Sequence, residues 1–147
     1  DIEALFALDD EHCASYSQPP ILMHKRAGMS REALDEFIGT ADNSFWLACY
    51  RDSPVGFIKF DRHEPDGVGI VRTPGTVAIC GAYVKPEYRG KGLASAILST
   101  GLAHYADRNC TCCALNFEPF NPNAAGFWPK YFRPVAYSLV RYPERSV

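Results

Sequence analysis

Arg89, Gly90, Lys91 and Gly92 lie between an apolar run and an amphipathic one, and their types suit them to holding phosphate. The run before them, Thr76-Val77-Ala78-Ile79-Cys80-Gly81-Ala82-Tyr83-Val84, is rich in small and β-branched residues, as a buried strand requires. After them, Ala94, Ile97, Leu98, Leu102 and Tyr105 recur at helical spacing and give one apolar face. Glycines at a helix entrance leave the backbone bare, where unpaired N–H groups and the positive end of the dipole favour an anion. Arg89 and Lys91 place fixed positive charge beside it. The ligand this implies carries a diphosphate and lies along the end of a strand.

Arg89-x-x-Gly92-x-Ala94 resembles the coenzyme A signature of the GNAT superfamily of N-acetyltransferases: Arg or Gln, two residues, Gly, one residue, then Gly or Ala. Val84-x-Pro86-x-Tyr88 upstream and Asn121-x-x-Ala124-x-x-Phe127 downstream match as well, in the family's order, and the similarity runs from about Phe45 to Arg141. The resemblance implies an α/β fold with a mixed, mostly antiparallel sheet flanked by helices, and acetyl-coenzyme A as cosubstrate. It implies acetyl transfer to a primary amine on a small molecule or peptide, by direct attack on the thioester. Backbone groups of Ala82, Tyr83 and Val84 would hold the pantetheine arm and the thioester oxygen, next to a bulge that the small Gly81-Ala82 pair permits. Arg89, Gly90, Lys91, Gly92, Leu93 and Ala94 would hold the diphosphate, and Asn121, Ala124, Phe127 and Trp128 would line the arm. Asn121 before Pro122 also suits a helix N-cap, so either role or both are open to it.

Two departures bear on the chemistry. Where the family usually places a Tyr that protonates the leaving thiolate, this chain has Trp128, whose indole N–H cannot serve as an acid. Tyr131 lies three residues on and is the candidate replacement, with Pro129 between them as an obstacle to helical geometry and a core tyrosine as the alternative. The run Thr76 to Val84 contains no acid to take the amine's proton, and Glu118, beside Phe117 and Phe120, is the candidate base. An exposed or cap-bonding Glu118 is the competing reading. The same departures are consistent with an acyl-coenzyme A-binding module that has lost chemistry. A dinucleotide-binding turn fails, because the third glycine and the acid about 20 residues on are missing.

The elements that must position these residues follow from periodicity and punctuation. Asp1 to Tyr16 reads as a helix blocked by Pro19-Pro20, and Ser30 caps a second helix through Ile38, stopped by Gly39. Asn43 to Tyr50 and Val55 to Phe60 are strands around an Arg51-Asp52-Ser53-Pro54 turn. His63 to Gly75 is a long loop with a short irregular strand inside, and Thr76 to Val84 is the central strand. Gly90 to Arg108 is the phosphate-facing helix, Thr111 to Phe117 a strand, Pro122 to Trp128 a short helix and Val135 to Arg141 the last strand. The family's opening strand is missing, so the chain reads as a variant or a piece of a longer protein.

The 147 residues suit one N-acetyltransferase domain spanning 1–147, with ample apolar content for a core. A net charge of −2, from 15 basic and 17 acidic residues spread along the chain, argues against nucleic acid and membrane surfaces as partners. With neither a spanning apolar run nor a signal sequence, the expected location is the cytoplasm. Cys110-Thr111-Cys112-Cys113 contains a C-x-x-C spacing, yet no second pair or His cluster completes four ligands, so no metal is expected. Cys80 on the central strand has no neighbouring group in sequence to activate it as a nucleophile. The four histidines stand isolated in sequence. Acceptor choice and oligomeric state are not legible.

Overall fold

The computed structural model describes residues 2–24, 26–63 and 69–137. Helices α1 (Ile2–Ser15) and α2 (Arg31–Gly39) lead into strands β1 (Ser44–Tyr50), β2 (Ser53–Asp61) and β3 (Thr76–Val84). Helix α3 (Leu93–Ala106), strand β4 (Cys112–Leu115) and helix α4 (Pro122–Phe127) complete the order. The sheet order is β1-β2-β3-β4, antiparallel except for the β3–β4 pair, so the mixed sheet expected from the sequence is present. No strand precedes α1, and no helix is long and apolar enough to cross a membrane, among the described residues.

Ser30 caps α2 as its type requires, its hydroxyl accepting from the Ala33 N–H at 3.2 Å. The β1–β2 turn is tighter than the four residues expected. Arg51 and Asp52 both adopt left-handed backbone (φ 46° and 65°), and Tyr50 pairs directly with Ser53. Two such residues twist in the sense that matches the flanking strands, which brings Ser53 and Pro54 into β2.

One face of the sheet packs under α3, where Ile58, Phe60, Val77 and Ile79 meet Ile97, Leu98, Tyr105 and Trp128 in a buried cluster. Gly101 allows the helix to sit this close, since a Cβ there would fall 2.5 Å from the Phe60 ring. The buried Tyr105 hydroxyl donates to the Asp42 carbonyl at 2.7 Å, which anchors the helix end. The opposite face lies under α1 and α2, where Leu5, Leu8, Leu34 and Phe37 are buried and the Phe37, Phe45 and Phe57 rings stack edge to face.

Several boundaries differ from expectation. Helix α3 begins at Leu93 rather than Gly90 and ends at Ala106, because Gly90 and Gly92 take left-handed backbone (φ 71° and 79°) that a helix interior excludes. Strand β4 is shorter than Thr111 to Phe117, since its partner β3 bulges away after Ile79. The irregular strand expected between His63 and Gly75 is a 3₁₀ turn at Gly69–Val71, with 64–68 outside the described residues. Of the last strand expected over Val135 to Arg141, residues 135–137 carry no strand and the rest lies outside the described residues.

Candidate functional site

Strands β3 and β4 pair only from Thr76↔Cys112 to Ile79↔Leu115. Against β2, Ile79 opposes Phe60 and Gly81 opposes Lys59, so Cys80 is an extra residue and forms a bulge. The bulge therefore falls one residue before the Gly81-Ala82 pair expected to carry it. Beyond it, β3 runs on to Val84 with β4 gone from its side, leaving one backbone edge facing a cleft of about 710 Å³. Ala82, Tyr83 and Val84 line this cleft, the start of α3 and the helix α4 flank it, and α1 with the segment after it covers it.

At the α3 end, Gly90 and Gly92 have open space where a Cβ would stand, so backbone conformation rather than crowding demands glycine. Gly92 occupies the N-cap position, and its carbonyl accepts the first helical bond, from Ala96 N–H at 3.0 Å. The N–H groups of Leu93, Ala94 and Ser95 then have no intrahelical acceptor, as in any first turn. Arg89 Nε donates to the Val84 carbonyl at 2.8 Å and its guanidinium lies 5.6 Å from the Tyr83 ring centre, which ties the loop to the end of β3. Gly90, Gly92, Leu93 and Ala94 line the cleft with Arg89. Lys91 does not: its ammonium donates to the Glu87 carbonyl at 2.9 Å on the outer side.

At the α4 side, Asn121 is the N-cap, its Oδ1 accepting from Asn123 N–H at 3.1 Å and Ala124 N–H at 3.4 Å, with Pro122 following as a first-turn residue. Ala124 and Phe127 face the cleft, and Trp128 is buried in the core with its edge on the same cavity. Pro129 does not break the path, because the chain tightens into a 3₁₀ turn at Trp128–Lys130. That turn sets Tyr131 against Phe127, ring centres 5.0 Å apart, with the phenol half exposed on the cleft wall.

Glu118 lies off the cleft wall, in an ion pair with Arg26 at 2.8 Å. The Arg26 guanidinium in turn lies 4.4 Å from the Tyr16 ring centre, so the two residues clasp the segment after α1 to the loop before α4. Burial pushes the Tyr16 phenol up, and the Glu118 charge adds to it. Tyr83 is likewise raised, by burial first and then by the charge of Glu11, which itself pairs with Lys85 at 2.7 Å.

The residues that sequence reasoning missed lie on α1. His12 lines the cleft above β3, with Tyr16, Phe57 and Tyr83 rings at 5.3, 5.5 and 5.7 Å, and its Nδ1 is 3.9 Å from the Asp9 carboxylate. Asp9 is buried, and its second oxygen accepts from Met29 N–H at 2.9 Å. The signal was available as Asp9-x-x-His12, two residues that a helix places on one face. The cysteines form no disulfide, and burial with the neighbouring Cys112 and Cys110 pushes the Cys113 thiol up to about 12, leaving it unreactive.

Comparison with known proteins agrees with this fold. The model of the acetyltransferase (GNAT) family matches residues 7–132. By sequence alone the chain matches none of the curated proteins. Among solved structures, the aminoglycoside N-acetyltransferase AAC(6')-Iy in complex with CoA is similar at a TM-score of 0.69 and 15% identity, over 99% of this chain and 89% of that one. An aminoglycoside acetyltransferase from an uncultured soil metagenomic sample, in complex with sisomicin, gives 0.68 and 12% over 99% and 88%. A ribosomal-protein-alanine N-acetyltransferase from Brucella melitensis biovar Abortus 2308 gives 0.66 and 17% over 97% and 92%.

Proposed function

The chain belongs to the acetyltransferase (GNAT) family, and we propose that it transfers an acetyl group from acetyl-coenzyme A to a primary amine by direct attack on the thioester. The observation that carries this reading is the edge of β3 at Ala82 to Val84, which no strand joins among the described residues and which runs from the Cys80 bulge to the glycine loop at the head of α3. Backbone groups on that edge are spaced to bond the pantetheine amides, and a main-chain N–H there meets the thioester oxygen. Such a donor stabilises the negative charge that grows on this oxygen as the amine attacks. The N–H groups from Gly90 to Ala94 receive the diphosphate, each charge-assisted bond contributing on the order of 1.5–3 kcal/mol. Tyr131 protonates the departing thiolate. Asn121 holds the first turn of α4, and Ala124, Phe127 and Trp128 present an apolar wall to the pantetheine arm.

The domain spans 1–147 and works in the cytoplasm, a reading that six cysteines without a disulfide support. The acceptor is a small-molecule or peptide amine; the solved structures suggest sisomicin and an alanine-leading peptide as probes, and spermidine adds a simple polyamine. Calorimetry with coenzyme A, and thiol release from acetyl-coenzyme A in the presence of sisomicin, spermidine or an alanine-leading peptide, test the proposal. Binding followed by turnover of one probe is expected, and the absence of binding overturns it. The burial of Trp128 where a phenol is usual favours a second reading, an acyl-coenzyme A-binding module, which tight binding without turnover of any probe would support.

A further inference from the structure

We propose that His12 is the general base of this enzyme, taking a proton from the acceptor's ammonium group, and that Asp9 is its positioning residue. The inference rests on the acetyl-transfer reading above and assigns a role which neither the glycine loop nor the open β3 edge supplies.

The geometry singles out this ring. The Cβ position on Gly81 lies 3.9 Å from His12 Cε1, an ordinary contact distance, so the imidazole stands directly over Gly81. Gly81 immediately precedes the Ala82 to Val84 edge on which the thioester is proposed to lie. On that reading His12 overlooks the carbon that the amine must attack. Three aromatic neighbours fix the ring's plane, and the Asp9 carboxylate facing Nδ1 leaves Nε2 as the nitrogen for the cleft. Asp9 is itself held by the Met29 N–H, so the carboxylate is anchored independently of the ring. Burial alone would raise the Asp9 carboxyl, but His12, the Met29 N–H and the charge of Lys59 outweigh it and hold it below the ordinary value, ionised at neutral pH. An ionised carboxylate behind an imidazole stabilises the imidazolium that forms on proton uptake.

The titratable and charged groups around the ring are Asp9, Cys13 and Tyr16 on its own helix and the turn that follows it, Lys59 on β2 and Tyr83 on β3. Burial raises the Cys13, Tyr16 and Tyr83 groups first, which leaves them protonated and unable to compete as bases. Glu118 is bound to Arg26 and does not line the cavity, so it is less suited to the task.

In the step, the ammonium gives one proton to Nε2 and becomes a neutral amine. Its lone pair forms the C–N bond to the thioester carbon, the C–S bond breaks, and the electron pair leaves with sulfur. The proton lost by the nitrogen as the amide forms balances the one gained by the thiolate, and His12 returns its own proton to solvent.

The test compares wild type, His12→Gln and Asp9→Asn, each by calorimetry with coenzyme A and by turnover of the three probe amines. Coenzyme A affinity is expected to stay within about twofold, which also certifies folding, while His12→Gln lowers kcat/KM by about 10²-fold or more through kcat and Asp9→Asn by about tenfold. The deficit of His12→Gln should narrow as pH is raised through the acceptor's own pKa, about 8 for a peptide amino end and about 10.4 for an alkyl amine, because solvent then delivers neutral amine. A His12→Gln protein that binds coenzyme A and turns over within about threefold of wild type overturns the inference and leaves acetyl transfer standing. A deficit that stays constant across pH overturns it as well. A wild type that binds no coenzyme A, or binds it and acetylates none of the probes, overturns the acetyl-transfer reading and this assignment with it.

Discussion

The substitution Gly92→Ala tests the diphosphate grip with little steric disturbance. The nearest atom to the added methyl would be Ser95 Oγ at 3.9 Å, an ordinary contact, so the whole cost lies in the backbone. Gly92 has φ 79°, and an L-residue held there is strained by about 1–2 kcal/mol. The glycine loop is exposed on its outer side, so the unliganded variant can rotate the peptide at this position out of the left-handed region and escape the strain. Binding must then restore the conformation that aims the Leu93 and Ala94 N–H groups at the phosphates. The strain appears in affinity, a loss of about 5- to 30-fold for coenzyme A, while thermal stability hardly moves. The assay is calorimetry with two ligands, coenzyme A and pantetheine, which lacks the diphosphate. Coenzyme A should lose the stated factor and pantetheine should be unaffected. Equal losses for both, or none for either, would refute a diphosphate held by this loop.

Four further outcomes follow from the packing and charges described. Tyr131→Phe should lower kcat by about 10²-fold with coenzyme A affinity kept, read from steady-state kinetics; unchanged turnover would remove the phenol from the reaction. Glu118→Gln should leave kcat/KM within about threefold, because the carboxylate serves as a clasp for Arg26, and a loss near 10²-fold would return the base role to Glu118. Gly101→Ala sets overpacking of about 1–3 kcal/mol against the buried Phe60 ring, offset by roughly 1 kcal/mol of helix propensity; the mid-range net cost of about 1 kcal/mol should lower Tm by about 2–4 °C in a thermal melt. The Asp9 carboxyl is depressed in the fold, so its stabilisation is complete above its unfolded value of about 3.9 and is lost as pH falls through the lower folded value. Asp9→Asn should accordingly flatten the acid limb of stability against pH in urea titrations.

The glycine loop, the capping residues and the extent of β3 were legible because each depends on a few neighbouring residues with one dominant physical requirement. Ser30 and Asn121 cap their helices as their types demand, and Gly90 and Gly92 take the left-handed backbone that other residues resist. The length of β4 was not legible, since the strand stops where its partner bulges away and nothing in Asn116-Phe117 signals it. His12 was missed for a related reason. Its neighbours Phe57, Gly81 and Tyr83 are distant in sequence, and only the packing of α1 on the sheet brings them together. Glu118 stands out in the sequence by its apolar neighbours, while its ion-pair partner Arg26 comes from the segment after α1, which no local pattern announces.

The Cys80 bulge links these features into one device. Along a regular strand, side chains alternate, so Ile79 and Gly81 would share a face. Here Ile79 lies in the cluster under α3, yet Ala82, three residues on, packs against that same cluster. Gly81 and Tyr83 have turned to the α1 side, beneath His12. One inserted residue thus reverses the facing of everything after it, and the same kink coincides with the last β3–β4 pair at Ile79↔Leu115. The small Ala82 then lines the cleft from the α3 side, while Gly81 sits beneath the imidazole at contact distance. Opening a backbone edge and turning Gly81 and Tyr83 toward α1 are therefore a single structural event. This is why a ligand held by main-chain groups on that edge would lie within reach of a side chain on α1.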